Sequence, residues 1–260
     1  MSYKVVFLDI DGTILPHGKR ITNATKHAIR RLQEKKLQVV IATGRAPYFA
    51  DSIVRDVGVK SAVFFNGSYV QHQGEVLHRA PIEKKVLKKL HVQTGKHKHP
   101  VTYLGESEFR TTELTHPYVT EAFSYDPWKP KQASPLFWME QDIYQLFLHC
   151  EMEEERKYEQ NIPELHFRRW SQPGMRTCDV NLSNGTKASG IMKMLEKLGV
   201  APDEAVAFGD GLNDVEMLSL VGMGVAMGNA RPEVQARANM VTKSVDEDGV
   251  KHGLEKLGLI

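Results

Sequence analysis

The stretch that decides the fold of this chain is KVVFLDIDGT, which runs from residue 4 to residue 13. Its first half, KVVFL, is an almost unbroken apolar run that ends abruptly at polar residues and Gly12. A short continuous apolar run bounded by turn residues is typical of a strand buried on both faces. Such strands belong to parallel sheets that are covered by helices, so the stretch predicts the first strand of an α/β protein.

The segments before residue 82 and after residue 184 repeat this alternation of apolar runs and amphipathic stretches. Before residue 82 it predicts a helix capped by Thr22 or Asn23, a strand at 37–42, a helix from Pro47 to about residue 57, a strand at 62–65 and a hairpin at 69–77. After residue 184 it predicts a helix at 187–198, strands at 205–208, 224–227 and 240–242, and a helix at 231–238. Strands that alternate with helices indicate a parallel sheet with right-handed crossovers, here formed by residues 1–82 and 185–260.

Residues 83–184 have a different texture, which indicates a second domain inserted into the first. The elements predicted there are a basic helix at 83–96, a strand at 142–150, a helix at 151–160, a strand at 165–170, a turn at 171–174 and a returning strand at 175–182. The prolines between Pro117 and Pro135 indicate irregular connections. We therefore expect a mixed sheet with helices in this insertion.

Composition excludes several classes of protein. The chain has 260 residues, enough for one large or two modest domains at about 150 residues each. Its formal net charge of +2 argues against binding to nucleic acid or to a membrane surface through bulk charge. Two cysteines are too few for a disulfide scaffold, and the first residues lack the order of a signal peptide. We expect a cytoplasmic enzyme, either a monomer or a weak homo-oligomer.

The acidic loop Asp9-Ile10-Asp11-Gly12-Thr13 is the strongest chemical signal. Carboxylates two residues apart at a strand end point the same way, and open parallel sheets bind ligands at that end. A hard divalent cation, Mg²⁺ above all, would relieve the repulsion between them. One carboxylate could then attack phosphorus and the other could serve as general acid and base. Asp-Gly pairs also form plain surface turns, but the position directly after a buried strand favours the chemical interpretation.

Three further polar groups each follow a predicted strand or open a helix. They are Thr43-Gly44-Arg45, Lys187 and Gly209-Asp210-Gly211-Leu212-Asn213-Asp214. A hydroxyl and an N–H at a strand-to-helix junction suit a phosphate oxygen. Asp210 would add a third carboxylate for the metal, Asn213 could bind the phosphate, and Asp214 could hold Lys187 or a metal-bound water. Asn213 and Asp214 could equally cap the next helix. Together these groups form a set suited to phosphoryl transfer.

At these residues the chain resembles the haloacid dehalogenase superfamily. The motif DxDGT of that superfamily matches Asp9 to Thr13, its second-motif hydroxyl matches Thr43, its lysine matches Lys187, and its GDGxND matches Gly209 to Asp214. The size and position of the insertion resemble the Cof-like (IIB) branch. The stretches that also look like that branch are Asn66-Gly67, GVAMGNA at 224–230 and EDGV at 247–250.

The resemblance implies a doubly wound, Rossmann-like α/β core with residues 83–184 as an α/β cap that serves as substrate lid. It implies a Mg²⁺-dependent phosphatase of small phosphorylated metabolites, commonly sugar phosphates, that forms an aspartyl-phosphate. By residue match, Asp9 is nucleophile and metal ligand, and Asp11 is general acid/base and gives the metal its backbone carbonyl. The remaining matches are Asp210 as metal ligand, Thr43, Gly44, Lys187 and Asn213 as phosphoryl-binding groups, and Asp214 in support.

Two other functions stay open at this point. A phosphomutase would use the same intermediate but pass the phosphoryl group to a second hydroxyl of the substrate. A sensor would bind a phosphorylated ligand without turnover, although binding alone does not need the Asp9 and Asp11 pair. The sequence leaves the substrate itself open among sugar phosphates, pyridoxal phosphate and flavin mononucleotide.

Overall fold

A computed structural model describes residues 3–124, 128–170 and 174–260 of the chain, which divide into two compact units. The first unit is Met1–Arg45, Ala50–Arg79 and Thr186–Ile260, and the second is Ala46–Phe49 and Ala80–Gly185. The second unit, called the inserted unit below, thus interrupts the first in sequence. The domain limits drawn from the sequence, 1–82 with 185–260 and 83–184, stay a proposal.

The strands of the described residues lie close to the apolar runs of the sequence. They are β1 (Val5–Leu8), β2 (Gln38–Ala42), β3 (Ala62–Phe64), β4 (Tyr69–His72), β5 (Glu75–Arg79), β6 (Val101–Gly105), β7 (Phe109–Thr111), β8 (Ile143–His149), β9 (Leu165–Arg169), β10 (Thr177–Leu182), β11 (Ala205–Gly209), β12 (Met223–Ala226) and β13 (Met240–Val241). Strands β6 and β7 were not predicted from the sequence, whereas the hairpin β4–β5 was.

Some of the helices in the described residues begin or end at recognisable sequence signals. They are α1 (Asn23–Glu34), α2 (Pro47–Asp56), α3 (Lys84–His97), α4 (Pro117–Ala122), α5 (Phe137–Glu140), α6 (Met152–Asn161), α7 (Lys187–Leu198), α8 (Val215–Leu220), α9 (Pro232–Gln235) and α10 (Gly249–Lys256). Thr22 caps α1 by accepting a hydrogen bond from the Thr25 N–H, as predicted. Helix α7 ends at Gly199, whose φ of 62° is left-handed and therefore suits glycine.

The first unit is an α/β sandwich around one sheet. Its strands lie in the order β13-β12-β11-β1-β2-β3-β4-β5, parallel except for β4 and β5 at one edge. Leu8 at the end of β1 pairs with Ile41 of β2 and with Phe208 of β11. The carboxyl ends of these three strands therefore lie side by side, and whatever follows them in the sequence meets at one edge of the sheet.

Helices cover both faces of this sheet, as the doubly wound fold requires. Val5 and Phe7 join a buried cluster with Ile191 and Met194 of α7 and Leu218 of α8. On the opposite face α1 packs beside α10, where a Cβ at Gly253 would lie 2.6 Å from the ring of Phe208. Side chains of one strand alternate between the two faces, so a continuous apolar run serves both.

The inserted unit has a sheet of its own, with the antiparallel order β7-β6-β8-β10-β9. One face of this sheet packs on α3 and α6 through a buried cluster that includes Leu87, Leu90, Tyr158, Leu146 and Leu148. The α/β character expected of the insertion is confirmed, but the expected mixed sheet is wrong, since all four strand pairs in its described residues are antiparallel. The predicted turn at 171–174 has its first three residues outside the described part of the chain.

The expectation of irregular connections between Pro117 and Pro135 is only partly correct, and residues 125–127 of that range lie outside the described part of the chain. Helix α4 begins at Pro117, with His116 as its N-cap accepting a hydrogen bond from the Tyr118 N–H. Proline at the first helical position loses no hydrogen bond, so it starts this helix rather than preventing it.

Helix α9 ends at Gln235, three residues short of the predicted limit.

None of the helices in residues 3–124, 128–170 and 174–260 combines the length and the apolar character that a bilayer crossing needs.

Candidate active site

Four segments meet at the carboxyl edge of the first unit's sheet. Asp9 follows β1, Thr43 follows β2, and Asp210 follows β11. Backbone hydrogen bonds tie two of these segments to neighbouring strands, since the Asp9 N–H donates to Phe208 O of β11 at 3.1 Å and the Thr43 N–H donates to Val63 O of β3 at 2.9 Å. The fourth segment is the start of α7, which brings Lys187. Asp9, Thr43 and Asp210 therefore lie at one edge of the sheet because parallel strands end there.

Lys187 is the centre of this arrangement. Its Nζ lies 2.5 Å from Asp9 Oδ1 and 2.6 Å from Asp214 Oδ1, and its side chain is 0% exposed. Asp214 is fixed in turn, because its Oδ2 accepts hydrogen bonds from the Asp210 N–H at 3.0 Å and the Gly211 N–H at 2.8 Å. A lysine in the first turn of a helix is disfavoured by the helix dipole, and here two carboxylates compensate for it.

Burial and like charges shift the pKa values of these groups. Burial raises the pKa of Asp9 well above its usual range, Lys187 opposes that rise, and the carboxylates of Asp214, Asp210 and Asp11 add to it. Burial also raises the pKa of Asp210, to about 6, with Asp214 contributing. For Lys187, burial opposes the charge, but Asp214 and Asp9 outweigh burial and raise its pKa. The site therefore holds more negative charge than Lys187 neutralises.

Asp9, Asp210 and Asp214 form a candidate cation site. Each can offer one carboxylate oxygen, and these oxygens lie within 4.8 Å of one another. Asp9 and Asp214 are buried and Asp210 is partly exposed. Carboxylate oxygens close together around a surplus of negative charge are the donor set that a hard divalent cation prefers. The residues present thus fit such an ion.

The loop after β1 packs directly against Asp210. Gly12 has a φ of +82°, and a Cβ there would lie 2.2 Å from Asp210 Oδ2, so glycine is required on both grounds. Thr13 Oγ1 donates a hydrogen bond to Asp210 Oδ1 at 3.1 Å. Asn229 Nδ2 donates to Gly12 O at 2.9 Å and to Asp210 Oδ2 at 3.2 Å. The orientation of the Asp210 carboxylate is therefore set by two hydrogen bonds, from Thr13 and Asn229.

Asp11 differs from the sequence expectation in where its carboxylate lies. The expectation grouped Asp9, Asp11 and Asp210 around one ion, whereas the three carboxylates that gather are Asp9, Asp210 and Asp214. Asp11 is exposed, and Arg45 binds both of its oxygens, Nε to Oδ2 at 2.8 Å and Nη2 to Oδ1 at 2.6 Å. Its backbone carbonyl stays the group through which a metal role is proposed.

The phosphoryl-binding candidates lie beside this cluster. Thr43 is buried, and its Oγ1 accepts a hydrogen bond from the Arg45 N–H at 3.1 Å, which leaves the hydroxyl hydrogen to be donated elsewhere. Asn213 lies in a single helical turn at Leu212–Asp214, and its Nδ2 donates to Asn66 Oδ1 at 2.9 Å. The side chain of Asn66 also lies against Gly44, where a Cβ would be 3.0 Å from Oδ1.

Three residues with evident roles in the geometry were not assigned roles from the sequence. Arg45 adjoins the Thr43-Gly44 motif, Asn66 belongs to an Asn-Gly pair after a strand, and Asn229 lies in the GVAMGNA stretch. Their contacts join residues 34 to 217 positions apart. Proximity to a motif was the available signal, but such distant partners cannot be read from spacing.

Comparison with known proteins shows that the resemblance to the haloacid dehalogenase superfamily extends over nearly the whole chain. The family model described as haloacid dehalogenase-like hydrolase matches residues 6–254. YkrA of Bacillus subtilis (strain 168), whose name describes a phosphatase, is 38% identical over 260 residues, which is 100% of both chains. A solved structure of a hypothetical protein from Geobacillus kaustophilus HTA426 has a TM-score of 0.94, 42% identity and full coverage of both chains. BT4131, described as a subclass IIB sugar phosphatase of this superfamily, has a TM-score of 0.83 and 27% identity, over 99% of this chain and 100% of that one.

Proposed function

This chain belongs to the haloacid dehalogenase-like hydrolases and is a phosphatase, and from that premise we propose that it hydrolyses small phosphorylated metabolites with Mg²⁺ through an aspartyl-phosphate on Asp9. The observation that carries the proposal is the buried contact of Lys187 with Asp9 beside a surplus of carboxylates. A structural ion pair would need one carboxylate, whereas a site that receives a dianionic phosphoryl group needs positive charge around a reactive oxygen.

Asp9 acts as the nucleophile in the first step. Lys187 holds Oδ1, and we assign the attack on phosphorus to Oδ2. The bond between phosphorus and the leaving oxygen breaks, and its electron pair stays on that oxygen. Asp11 donates a proton to the leaving oxygen, so an alcohol departs and the phosphoryl group stays on Asp9.

The second step reverses the role of Asp11. Its carboxylate takes a proton from water as the water oxygen attacks phosphorus. The bond between phosphorus and Asp9 breaks, and the electron pair returns to the Asp9 carboxylate. Inorganic phosphate leaves and both side chains are restored. Arg45 keeps Asp11 oriented through both steps by its two-point contact.

Thr43, Gly44, Lys187 and Asn213 bind the phosphoryl oxygens in this proposal. The Thr43 hydroxyl, the Gly44 N–H and the Asn213 amide are hydrogen-bond donors, and Lys187 supplies charge from a site that excludes water. Donors held in place before the reaction stabilise the charge that develops in the transition state without a cost of reorganisation.

Mg²⁺ would be held by carboxylate oxygens of Asp9 and Asp210 with the backbone carbonyl of Asp11, and Asp214 would support the site through Lys187. When bound, the ion neutralises the phosphoryl oxygens and Asp9, which permits the approach of two anions. The surplus negative charge at Asp9 and Asp210 supports this assignment.

Sugar phosphates are the proposed substrate class, and the likeness to BT4131 supports that choice. The cap domain, proposed as residues 83–184, would contact the leaving group and so determine specificity. We place the enzyme in the cytoplasm as a monomer or a weak homo-oligomer without nucleic-acid or membrane partners. A panel of sugar phosphates, pyridoxal phosphate and flavin mononucleotide, ranked by kcat/KM with Mg²⁺, tests the substrate class.

The decisive experiment traps the intermediate. We expect borohydride reduction of the acid-quenched enzyme, after turnover of para-nitrophenyl phosphate with Mg²⁺, to convert Asp9 into homoserine, which mass spectrometry locates. Asp9→Asn should form no adduct and lose about 10⁴-fold or more in kcat, as other catalytic nucleophiles do. Circular dichroism should show a folded variant. Near-normal turnover by Asp9→Asn would overturn the assignment.

A further inference from the structure

The turn between β3 and β4 has an unusual backbone at the edge of the candidate site. Phe65, Asn66 and Gly67 all have positive φ, at 50°, 52° and 104°. Residues other than glycine rarely adopt this left-handed backbone region. Two such residues in succession persist only where the surrounding structure holds them. Phe65 and Asn66 are both buried, at 0% and 4% exposure.

Backbone contacts show what holds this turn. The Phe65 N–H donates to Arg45 O at 3.1 Å, and the Asn66 N–H donates to Thr43 O at 3.1 Å. At Gly67 a Cβ would lie 2.1 Å from the carbonyl oxygen of Thr186, the residue before Lys187. The turn is therefore fitted between the Thr43-Gly44-Arg45 segment and the start of α7.

The side chain of Asn66 occupies the space between two proposed phosphoryl-binding groups. Its Oδ1 accepts a hydrogen bond from Asn213 Nδ2 at 2.9 Å. On the other side, Cβ of a residue at position 44 would lie 3.0 Å from Asn66 Oδ1 and 3.1 Å from Nδ2. The Asn66 side chain thus sets both the orientation of the Asn213 amide and the close approach of Gly44.

We propose that Asn66 is a positioning residue for phosphoryl binding, acting through Asn213. The inference rests on the proposed function, in which Asn213 binds a phosphoryl oxygen. An amide nitrogen carries two hydrogens, and Asn66 engages one of them, which orients the other towards the phosphoryl group. In this proposal Asn66 acts on that group through Asn213.

Asparagine meets the two requirements of this position. Asparagine tolerates left-handed φ better than most residues, and its side-chain carbonyl is a hydrogen-bond acceptor. Glycine tolerates the backbone conformation but has no acceptor, and alanine has neither property. Asn66→Gly therefore removes the side chain while keeping the strained turn acceptable, which separates positioning from folding.

The test is a double-mutant cycle of Asn66→Gly and Asn213→Ala, with inorganic phosphate as competitive inhibitor in saturating Mg²⁺. We expect each single variant to weaken the inhibition constant of phosphate by about tenfold, the scale of one hydrogen bond to a charged group. The double variant should be no weaker than Asn213→Ala alone, because the two residues act as one unit. KM should rise more than kcat falls in Asn66→Gly.

Lys36→Gly is the matched control. Lys36 also has a positive φ, 62°, but it is exposed and precedes β2, at the opposite end of that strand from Thr43. This variant should keep the phosphate inhibition constant of the wild type. Additive losses in the cycle, or unchanged phosphate binding in Asn66→Gly beside a damaged Asn213→Ala, would overturn the inference alone. Unchanged binding in Asn213→Ala would instead remove the phosphoryl-binding role on which it rests.

Discussion

Each unit buries a nitrogen-bearing side chain between two oxygen partners. One of the two arrangements is charged and the other is neutral. In the first unit the ammonium of Lys187 lies between the carboxylates of Asp9 and Asp214. In the inserted unit His149 lies between two threonine hydroxyls and is 0% exposed. The buried group of the inserted unit is neutral, whereas the first unit buries several charged groups that interact with one another.

The histidine site is a closed set of neutral hydrogen bonds. Nε2 of His149 lies 3.0 Å from Thr102 Oγ1, and Nδ1 lies 2.9 Å from Thr177 Oγ1. Burial lowers the pKa of His149 to about 3, and His116 contributes to that shift. A buried polar group that is neutral and has all its hydrogen-bond partners contributes to the stability of the fold, and nothing in its surroundings activates it for chemistry. Surplus like charge, and not burial, therefore distinguishes the candidate active site.

Removing the lysine should break the first arrangement most severely. Lys187→Ala leaves the buried Asp9 and Asp214 without their cation, so we expect about 10²–10³-fold lower kcat. The free energy of unfolding should fall by about 3–5 kcal/mol, since one partner of a buried ion pair is lost. Lys187→Met, which keeps most of the volume, is the matched control for packing. Denaturant titration and steady-state turnover measure the two effects, and retained turnover would contradict the assignment.

The loss of stability in Lys187→Ala should become smaller as pH falls. The pKa of Asp9 is raised in the folded state, and the loss of Lys187 removes the group that opposed that rise. A folded pKa above the unfolded value stabilises the protein below the unfolded pKa, about 3.9, and that stabilisation is lost as pH rises. The variant should therefore regain stability relative to the wild type as pH falls towards 4.

Arg45→Gln should have a smaller effect that depends on the leaving group. The substitution removes the two-point contact that orients Asp11. A charged hydrogen bond of this kind contributes about 1.5–3 kcal/mol, so kcat/KM should fall about 10–100-fold for a sugar phosphate. Para-nitrophenolate leaves without a proton, so its phosphate ester should lose much less. Equal losses for both substrates would show that Arg45 does not act through Asp11.

The histidine of the inserted unit should affect stability and not turnover, and the free energy of unfolding should fall as pH drops below neutral. Its folded pKa of about 3 lies below the unfolded value of about 6.5, so its contribution is present above pH 6.5 and lost as pH falls towards 3. The wild type should therefore lose up to about 1.4 kcal/mol per pH unit from this group. His149→Gln should flatten that slope in urea unfolding between pH 6.5 and 4 while leaving turnover at pH 7 unchanged. An unaltered slope would mean that His149 is not held neutral.

The sheet of the first unit was largely predictable because its signals are local. The run KVVFL, the Thr22 cap and Gly199 each act within a few residues, and β1, α1 and α7 follow them closely. Strand β6 was missed because VTYLG is short and adjoins Pro100 in a stretch rich in charged residues. Its pairing with β8, some forty residues away, decides its conformation.

The motifs of the sequence determined the family, the sheet edge at which the site lies and the residue types available there. Tertiary structure alone decided the partners. It places Lys187 on Asp9 and Asp214, Arg45 on Asp11, and Asn66 on Asn213. These contacts join segments that are distant along the chain, and neither periodicity nor local spacing encodes which carboxylate faces which donor. That choice follows from strand order and packing in the folded protein, where a buried charge must find its partner.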